Sequence, residues 1–338
     1  MTKWMRFALI AVLVVVAALL PLFLPDLTFY VQMVLAAVVV TGLALFMGFA
    51  GQASLGQGAF VAAGALTVAV TTVELHWPPL LALACAPLVA AGFAFVVGLP
   101  LLRLRGHYLA FGTLALLLIV QTLVSTVPFL GGGVGISGIP ALGVGELVIP
   151  DQIGYAYVAL AALAVTLLVS RNLVSSRFGR AVRALAGSES AAESAGVDVV
   201  RTKLGIFSIA AAFAGLAGGI SAFFIPYVSG ESFPAVVSFT YVIMAVIGGL
   251  GTLWGGVIGA VLVSLLAQGL TTLSASPGLP TTAGPILQYA AYAAVLILAL
   301  IFLPRGILPS VSSAIARRRA RAPGTLTALA AEQPVEAE

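Results

Sequence analysis

The sequence predicts an all-α polytopic membrane protein of about ten transmembrane helices, with both termini on the cytoplasmic side. Three observations predict it. Of 338 residues, 61% are apolar and only 8% are charged, against about 25% charged in a soluble domain, too few to cover a water-facing surface. The apolar residues gather in runs of about 20, the length that crosses the hydrocarbon layer as a helix. All 15 Lys and Arg residues fall where one topology places cytoplasm: Lys3, Arg6, Arg103, Arg105, Arg171, Arg177, Arg180, Arg183, Arg201, Lys203, Arg305, Arg317, Arg318, Arg319 and Arg321. The far-side loops hold only the acidic charges Asp26, Glu74, Glu146, Asp151 and Glu231. Positive charge inside orients the chain as a multi-pass inner-membrane protein.

Taken in order, the first crossing is expected over about 7–24. Its basic start could imitate a signal peptide, but no small-x-small cleavage site follows, and 21–30 leads straight into a second apolar run. It is read as a retained helix. The second crossing, about 29–48, returns to a polar Gly-rich break at 51–58. The third, about 58–73, goes out to Glu74, His76 and Trp77, and the fourth, about 79–102, comes in to Arg103 and Arg105. The fifth, about 107–127, leads to a Gly/Pro-punctuated outer segment, 128–152, and the sixth, about 153–170, comes in to Arg171. A cytoplasmic stretch, 171–203, holds six of the 15 basic residues before a seventh crossing over about 204–227. The apolar run 236–268 is too long for one span, and Gly248, Gly249, Gly251, Gly255 and Gly256 interrupt it. It splits into an inward and an outward crossing. A tenth, about 285–303, comes in at Arg305. Residues 1–305 thus form the membrane domain, and 306–338 a basic cytoplasmic tail expected to be disordered, with 317–321 lying against anionic headgroups.

Within 171–203, Ser175 or Ser176 can cap a short helix over 177–186 that Gly187 ends. Ser190 and Glu193 fit a capping box for a second, closed by Gly196. The pair would make a rigid knob presenting Arg177, Arg180, Arg183, Glu189 and Glu193, able to receive force from an external engine. The alternative is a solvated loop whose arginines only enforce topology. In the break at 51–58, Gln52, Ser54 and Gln57 are polar at membrane depth, where irregular backbone survives only buried in protein or lining a wet cavity. Gly215, Gly219, Gly251, Gly255 and Gly259 are expected in close helix packing, the last three on one face by their four-residue spacing.

Several function classes are excluded. No acidic residue is placed mid-span, which argues against proton or sodium coupling. No Gly-x-x-x-x-Gly-Lys-Ser/Thr loop is present, so energy from ATP would be supplied by another chain. Nothing resembles a nucleophile–base–acid set or a metal cluster, and the single cysteine, Cys85, can form no internal disulfide, so neither catalysis nor a metal site is expected. With no soluble basic domain, nucleic-acid binding is a poor reading.

Five ordered blocks over about 30–305 resemble the branched-chain amino acid ABC transporter permease family, in its LivM-type subunit. They are Gly51-Gln-Ala-Ser-Leu-Gly-Gln-Gly-Ala-Phe60; Leu102-Arg-Leu-Arg-Gly-His-Tyr-Leu-Ala-Phe-Gly-Thr-Leu-Ala115, which includes Thr113; Ser176-Arg-Phe-Gly-Arg-Ala-Val-Arg-Ala184 with 189–196 and Lys203-Leu204; Ala214-Gly-Leu-Ala-Gly218; and Ile247-Gly-Gly-Leu-Gly-Thr-Leu253. The chain departs from the family pattern at 131–136, where a threonine-glycine-glycine and an acidic residue are absent.

The resemblance implies an ABC importer permease fold in the bacterial inner membrane. Gln52, Ser54, Gln57 and Thr113 become candidates for the translocation path. Arg177, Arg180, Arg183, Glu189, Ala192, Glu193 and Gly196 become the coupling element. The implied partners are a second, LivH-type permease, two ABC ATPase subunits that use ATP and magnesium, and an extracytoplasmic substrate-binding protein; this chain itself would bind no cofactor. Branched-chain or related amino acids are the expected cargo. Urea, short amides or a ribose-type sugar are alternatives within transport, and an ion-coupled secondary transporter is the alternative mechanism.

Overall fold

Among the described residues, apolar runs punctuated by Gly, Pro and Arg become ten α-helices: α1 Thr28–Ala50, α2 Gln57–Val73, α3 Pro79–Leu101, α4 His107–Thr126, α5 Gln152–Ser175, α6 Arg177–Gly187, α7 Glu189–Ser194, α8 Val199–Phe224, α9 Ala235–Gly248 and α10 Leu253–Ser274. This computed structural model describes residues 19–22, 27–104, 106–144, 147–149 and 151–274, with Ala290 and Ala294. Most of the crossings expected over 7–24 and 285–303, and all of the tail 306–338, lie outside the described residues. Among those described, seven helical stretches are long and apolar enough to cross a membrane, and α2 is a shorter apolar helix. The architecture is therefore an all-α polytopic membrane protein.

The bundle has two chemically distinct ends. The ends of α1, α3, α5 and α9 meet the starts of α2, α4, α8 and α10 at one of them, with Arg103, Arg171 and helices α6 and α7; this is the basic end. Glu74, Asp151 and Glu231 lie at the other, acidic end. There the long segment after α4 folds onto the bundle: β1 Ile136–Ser137 pairs antiparallel with β4 Tyr227–Val228, and β2 Gly143–Val144 with β3 Leu147–Val148. Tyr227 Oη donates to Val134 O at 3.0 Å, and Leu142 N donates to Tyr155 Oη at 3.0 Å.

Helix α8 is the hub, packed against α2 and α3 through small residues. Lipid offers no hydrophobic gain for helix association, so close backbone approach supplies the attraction. A methyl group added at Gly215 would collide with Ala90 Cβ and Ala86 O, and one at Gly219 would come within 2.9 Å of Ala86 Cβ. On α3, the buried residues Ala82, Ala86, Ala90, Ala94 and Gly98 recur every fourth position, which gives that helix one flat face. Toward the basic end the rings of Phe46 and Phe60 lie 5.1 and 5.2 Å from that of Phe207, sealing the junction of α1, α2 and α8.

The run 236–268 divides into α9 and α10, joined by a tight turn over 249–252. Gly248 approaches Gly255 O and Gly259 approaches Met244 O so closely that neither tolerates a side chain. Gly251, placed by spacing on the same face as Gly255 and Gly259, lies instead in the turn. Gly249 and Gly251 have φ of 110° and 83°, which no right-handed helix can include, so α10 begins only after them. Helix α9 has 14 residues, about 21 Å at 1.5 Å per residue and short of the ~30 Å hydrocarbon layer. Its start lies deep: Ser238 Oγ, in the first turn of α9, accepts from Gly58 N, in the first turn of α2, at 2.9 Å.

Candidate functional site

The site is built where the first Gly-rich break meets the helix pair α6–α7. Helix α1 ends at Gly51, whose φ of 66° turns the chain out of the helix, and 51–56 run without secondary structure. Thr113, fully buried on α4, holds this segment: its Oγ1 accepts from Leu55 N at 2.9 Å and donates to Ala110 O at 2.9 Å. Ser54 is buried, with Oγ 3.4 Å from Gly56 N. Gln57 is 1% exposed, and neither end of its amide has a hydrogen-bond partner among the described residues. Replacing Thr113 with valine keeps the shape but orphans Leu55 N–H. We expect a loss of about 1–3 kcal/mol, read as a lower midpoint in thermal unfolding of the purified protein.

Helices α6 and α7 are short and locally determined. Ser176 Oγ caps α6 by accepting from Gly179 N at 3.2 Å. The capping residue of α7 is Ser188, which accepts from Ala191 N at 3.3 Å, and not Ser190 as the Ser190/Glu193 spacing predicts. Helix α6 runs through Gly187, so the chain turns extended at Ser188 (φ −163°), and Ser190 falls inside the first turn. Gly196, at φ 82°, follows the end of α7. Gly179, Val182, Leu185 and Ala192 are buried against the bundle, while Arg177, Arg180, Arg183 and Glu193 are exposed. Arg183 is tied locally, donating through Nη1 to Val174 O at 3.1 Å.

One carboxylate joins break, knob and hub. Glu189 Oε1 accepts from Gln52 Nε2 at 3.3 Å and from Lys203 Nζ at 2.5 Å. The Lys203 side chain is 5% exposed and that of Glu189 36%, so the ammonium depends on this one partner far more than the carboxylate does. The Cα of Ala186, near the end of α6, lies 3.5 Å from where a Cβ on Gly51 would be, so the two segments touch along their backbones as well. The structure thus brings Gln52 and Glu189 together across 137 positions. Lys203 enters the sequence reading as an inside charge and as part of the third block; its burial has no local signature.

A separate cavity of about 590 Å³ lies toward the acidic end, between α1, α2, α8, α9 and α10 and residues 227–234. Gln32, Ser221, Thr240, Tyr241, Ser264 and Gln268 give it polar spots on a largely apolar wall, and among the described residues no Asp, Glu, Lys, Arg or His lines it. Gln52, Ser54, Gln57 and Thr113 do not line it; they gather at the basic end. No signal in the sequence singles out the cavity residues, because isolated hydroxyls and amides in apolar runs carry no pattern. Among the described residues no group of three His, Cys, Asp or Glu side chains could hold a metal ion.

The family model described as branched-chain amino acid transport system / permease component matches residues 27–303. Two relatives, each named high-affinity branched-chain amino acid transport system permease protein LivM, come from Salmonella typhimurium (strain LT2) and Escherichia coli (strain K12). Each is 35% identical over 248 residues, which cover 65% of this chain and 58% of the relative. The chain therefore spans somewhat over half the length of the curated relatives it matches. No solved structure matches it.

Proposed function

Because the chain belongs to the branched-chain amino acid permease family of ABC transporters, in its LivM-type branch, we propose that it is the membrane subunit of an ATP-driven importer of branched-chain or related amino acids. In this reading it has about ten crossings, with both termini and the basic end in the cytoplasm. It pairs with a second, LivH-type permease, receives cargo from an extracytoplasmic binding protein, and is driven by two ATPase subunits that carry all of the hydrolytic chemistry. Permease subunits of this family are not enzymes.

The observation that carries the coupling role is the continuity from knob to break. Arg177, Arg180 and Glu193 are exposed on the surface of α6 and α7, the faces beneath them are buried, and Glu189 links the same unit to Gln52 and Lys203. A push on the exposed face therefore reaches the break between α1 and α2 and the start of α8 through rigid contacts, without a loop to absorb it. Gln52, Ser54, Gln57 and Thr113 then act at the cytoplasmic mouth of the path, where the amide of Gln57 is unsatisfied in this arrangement and free to find partners in another.

The test is uptake of radiolabelled L-leucine by the full complex in proteoliposomes, with ATP hydrolysis measured in parallel. Arg180→Ala and Glu193→Ala are expected to lower uptake about tenfold, equivalent to ~1.4 kcal/mol of lost coupling, with hydrolysis retained. Wild-type uptake per ATP in both variants would sink the coupling assignment.

A further inference from the structure

We infer that the cavity at the acidic end is a substrate site of this subunit, in which the uncapped N-terminus of α9 holds the carboxylate of a net-neutral amino acid. This rests on the permease reading and assigns a place and a chemistry within it.

The first observation is the deep, bare start of α9. Its N-cap residue is Pro234, which has no side-chain donor or acceptor, and no side chain caps the helix. Val237 N turns back to Pro234 O at 3.0 Å, leaving the N–H groups of Ala235 and Val236 without a partner among the described residues. Pro234, Val236, Val237 and Thr240 all border the cavity. Free N–H donors and the positive end of the helix dipole together favour an anion at such a place. Discontinuous membrane helices present their N-termini to anionic substrate groups in this way.

An independent observation comes from the facing helix. Ser264 on α10 is 8% exposed, lines the same cavity, and its hydroxyl makes no hydrogen bond among the described residues. Several span hydroxyls turn back onto their own helix, as Thr41 does to Ala37 O, Thr67 to Ala63 O and Thr240 to Val236 O; the buried hydroxyls of Thr166, Ser170 and Ser208 also lack a partner among the described residues, but none of them borders the cavity. Ser264 differs from those three in lining the cavity, where a ligand can reach its unpartnered hydroxyl.

The remaining wall defines the ligand class. Among the described residues no Asp, Glu, Lys, Arg or His lines the cavity, so a solute with net charge would bring an uncompensated charge into the membrane interior. A zwitterion brings none. The amide oxygens of Gln32 and Gln268 can accept from its ammonium group, and Met33, Val39, Val61 and Met244 offer an apolar wall to its side chain. The volume of about 590 Å³ leaves room for such a solute with a few waters.

The experiment uses the assembled transporter with its binding protein, in a Cys85→Ser background, carrying either Ser264→Cys or Val237→Cys. A membrane-impermeant methanethiosulfonate reagent is applied from the binding-protein side. L-Leucine at about ten times its half-saturating concentration is expected to slow labelling about tenfold at both positions. L-Leucinamide, which lacks the carboxylate, and L-lysine, which carries net charge, are expected to leave the rate unchanged. Equal protection by L-leucinamide would overturn the carboxylate assignment. No protection by L-leucine, or no labelling at either cysteine, in a complex that still imports L-leucine would overturn the site and spare the permease reading. A wild-type complex without ATP-dependent uptake of any amino acid would remove that reading and the inference together. If Ser264→Cys fails to assemble, Val237→Cys gives the same readout.

Discussion

Glu189→Ala is expected to destabilise the protein by about 3 kcal/mol and to abolish coupled uptake. Removing the carboxylate leaves the Lys203 ammonium 5% exposed with no acceptor, and breaking a buried pair from one side costs about 3–5 kcal/mol. Glu189 itself is 36% exposed, so water entering its place offsets part of that, which sets the expectation at the low end of the range. The double variant Glu189→Leu/Lys203→Met removes both charges and should restore most of the stability, since apolar replacement of an ion pair is often neutral. It should not restore uptake, because Gln52 has still lost the acceptor that tied the break to α7. Thermal unfolding and L-leucine uptake of the three proteins separate the two effects. Equal destabilisation in the single and double variants would show that the pair is not the source of the cost.

Gly218→Val is expected to prevent recovery of folded protein. A Cβ at this position would run into the carbonyl of Val61, and neither helix backbone can rotate away as a side chain would. Overpacking costs typically about 1–3 kcal/mol where side chains can adjust, and we expect at least the top of that range where they cannot. The pairing of α2 with α8, on which the fold turns, would be forced apart. Gly92→Val on α3 is the control: a Cβ there meets nothing within 4 Å, so its yield and monodispersity after detergent extraction should match wild type. Comparable yields for the two variants would refute the packing argument.

The membrane helices were the most legible part of the chain, for a physical reason. Length, apolarity and charge placement act over one contiguous run, so the starts of α2, α3 and α4 and the split of 236–268 follow from local residues alone. The cap at Ser176 is equally local. The cap at Ser188 was hidden because it depends on how far α6 continues through Gly187, a matter of packing. Gly251 misled for a related reason: four-residue spacing says which face a residue would occupy only if it is helical. The joint of Gln52, Glu189 and Lys203 and the cavity around Ser264 were illegible, since each is assembled from distant segments. The deep start of α9 belongs with them, because it is set by one bond between Ser238 and Gly58, 180 positions apart.

The uncharged lining of the cavity has an electrical consequence. Moving one elementary charge through the membrane field costs or releases about 2.3 kcal/mol per 100 mV, and a binding site that carries its own charge feels that field whenever it reorients. A neutral wall around a net-neutral solute carries no such term through this part of the path. On the proposed function, the passage of cargo through this cavity is expected to be indifferent to membrane voltage.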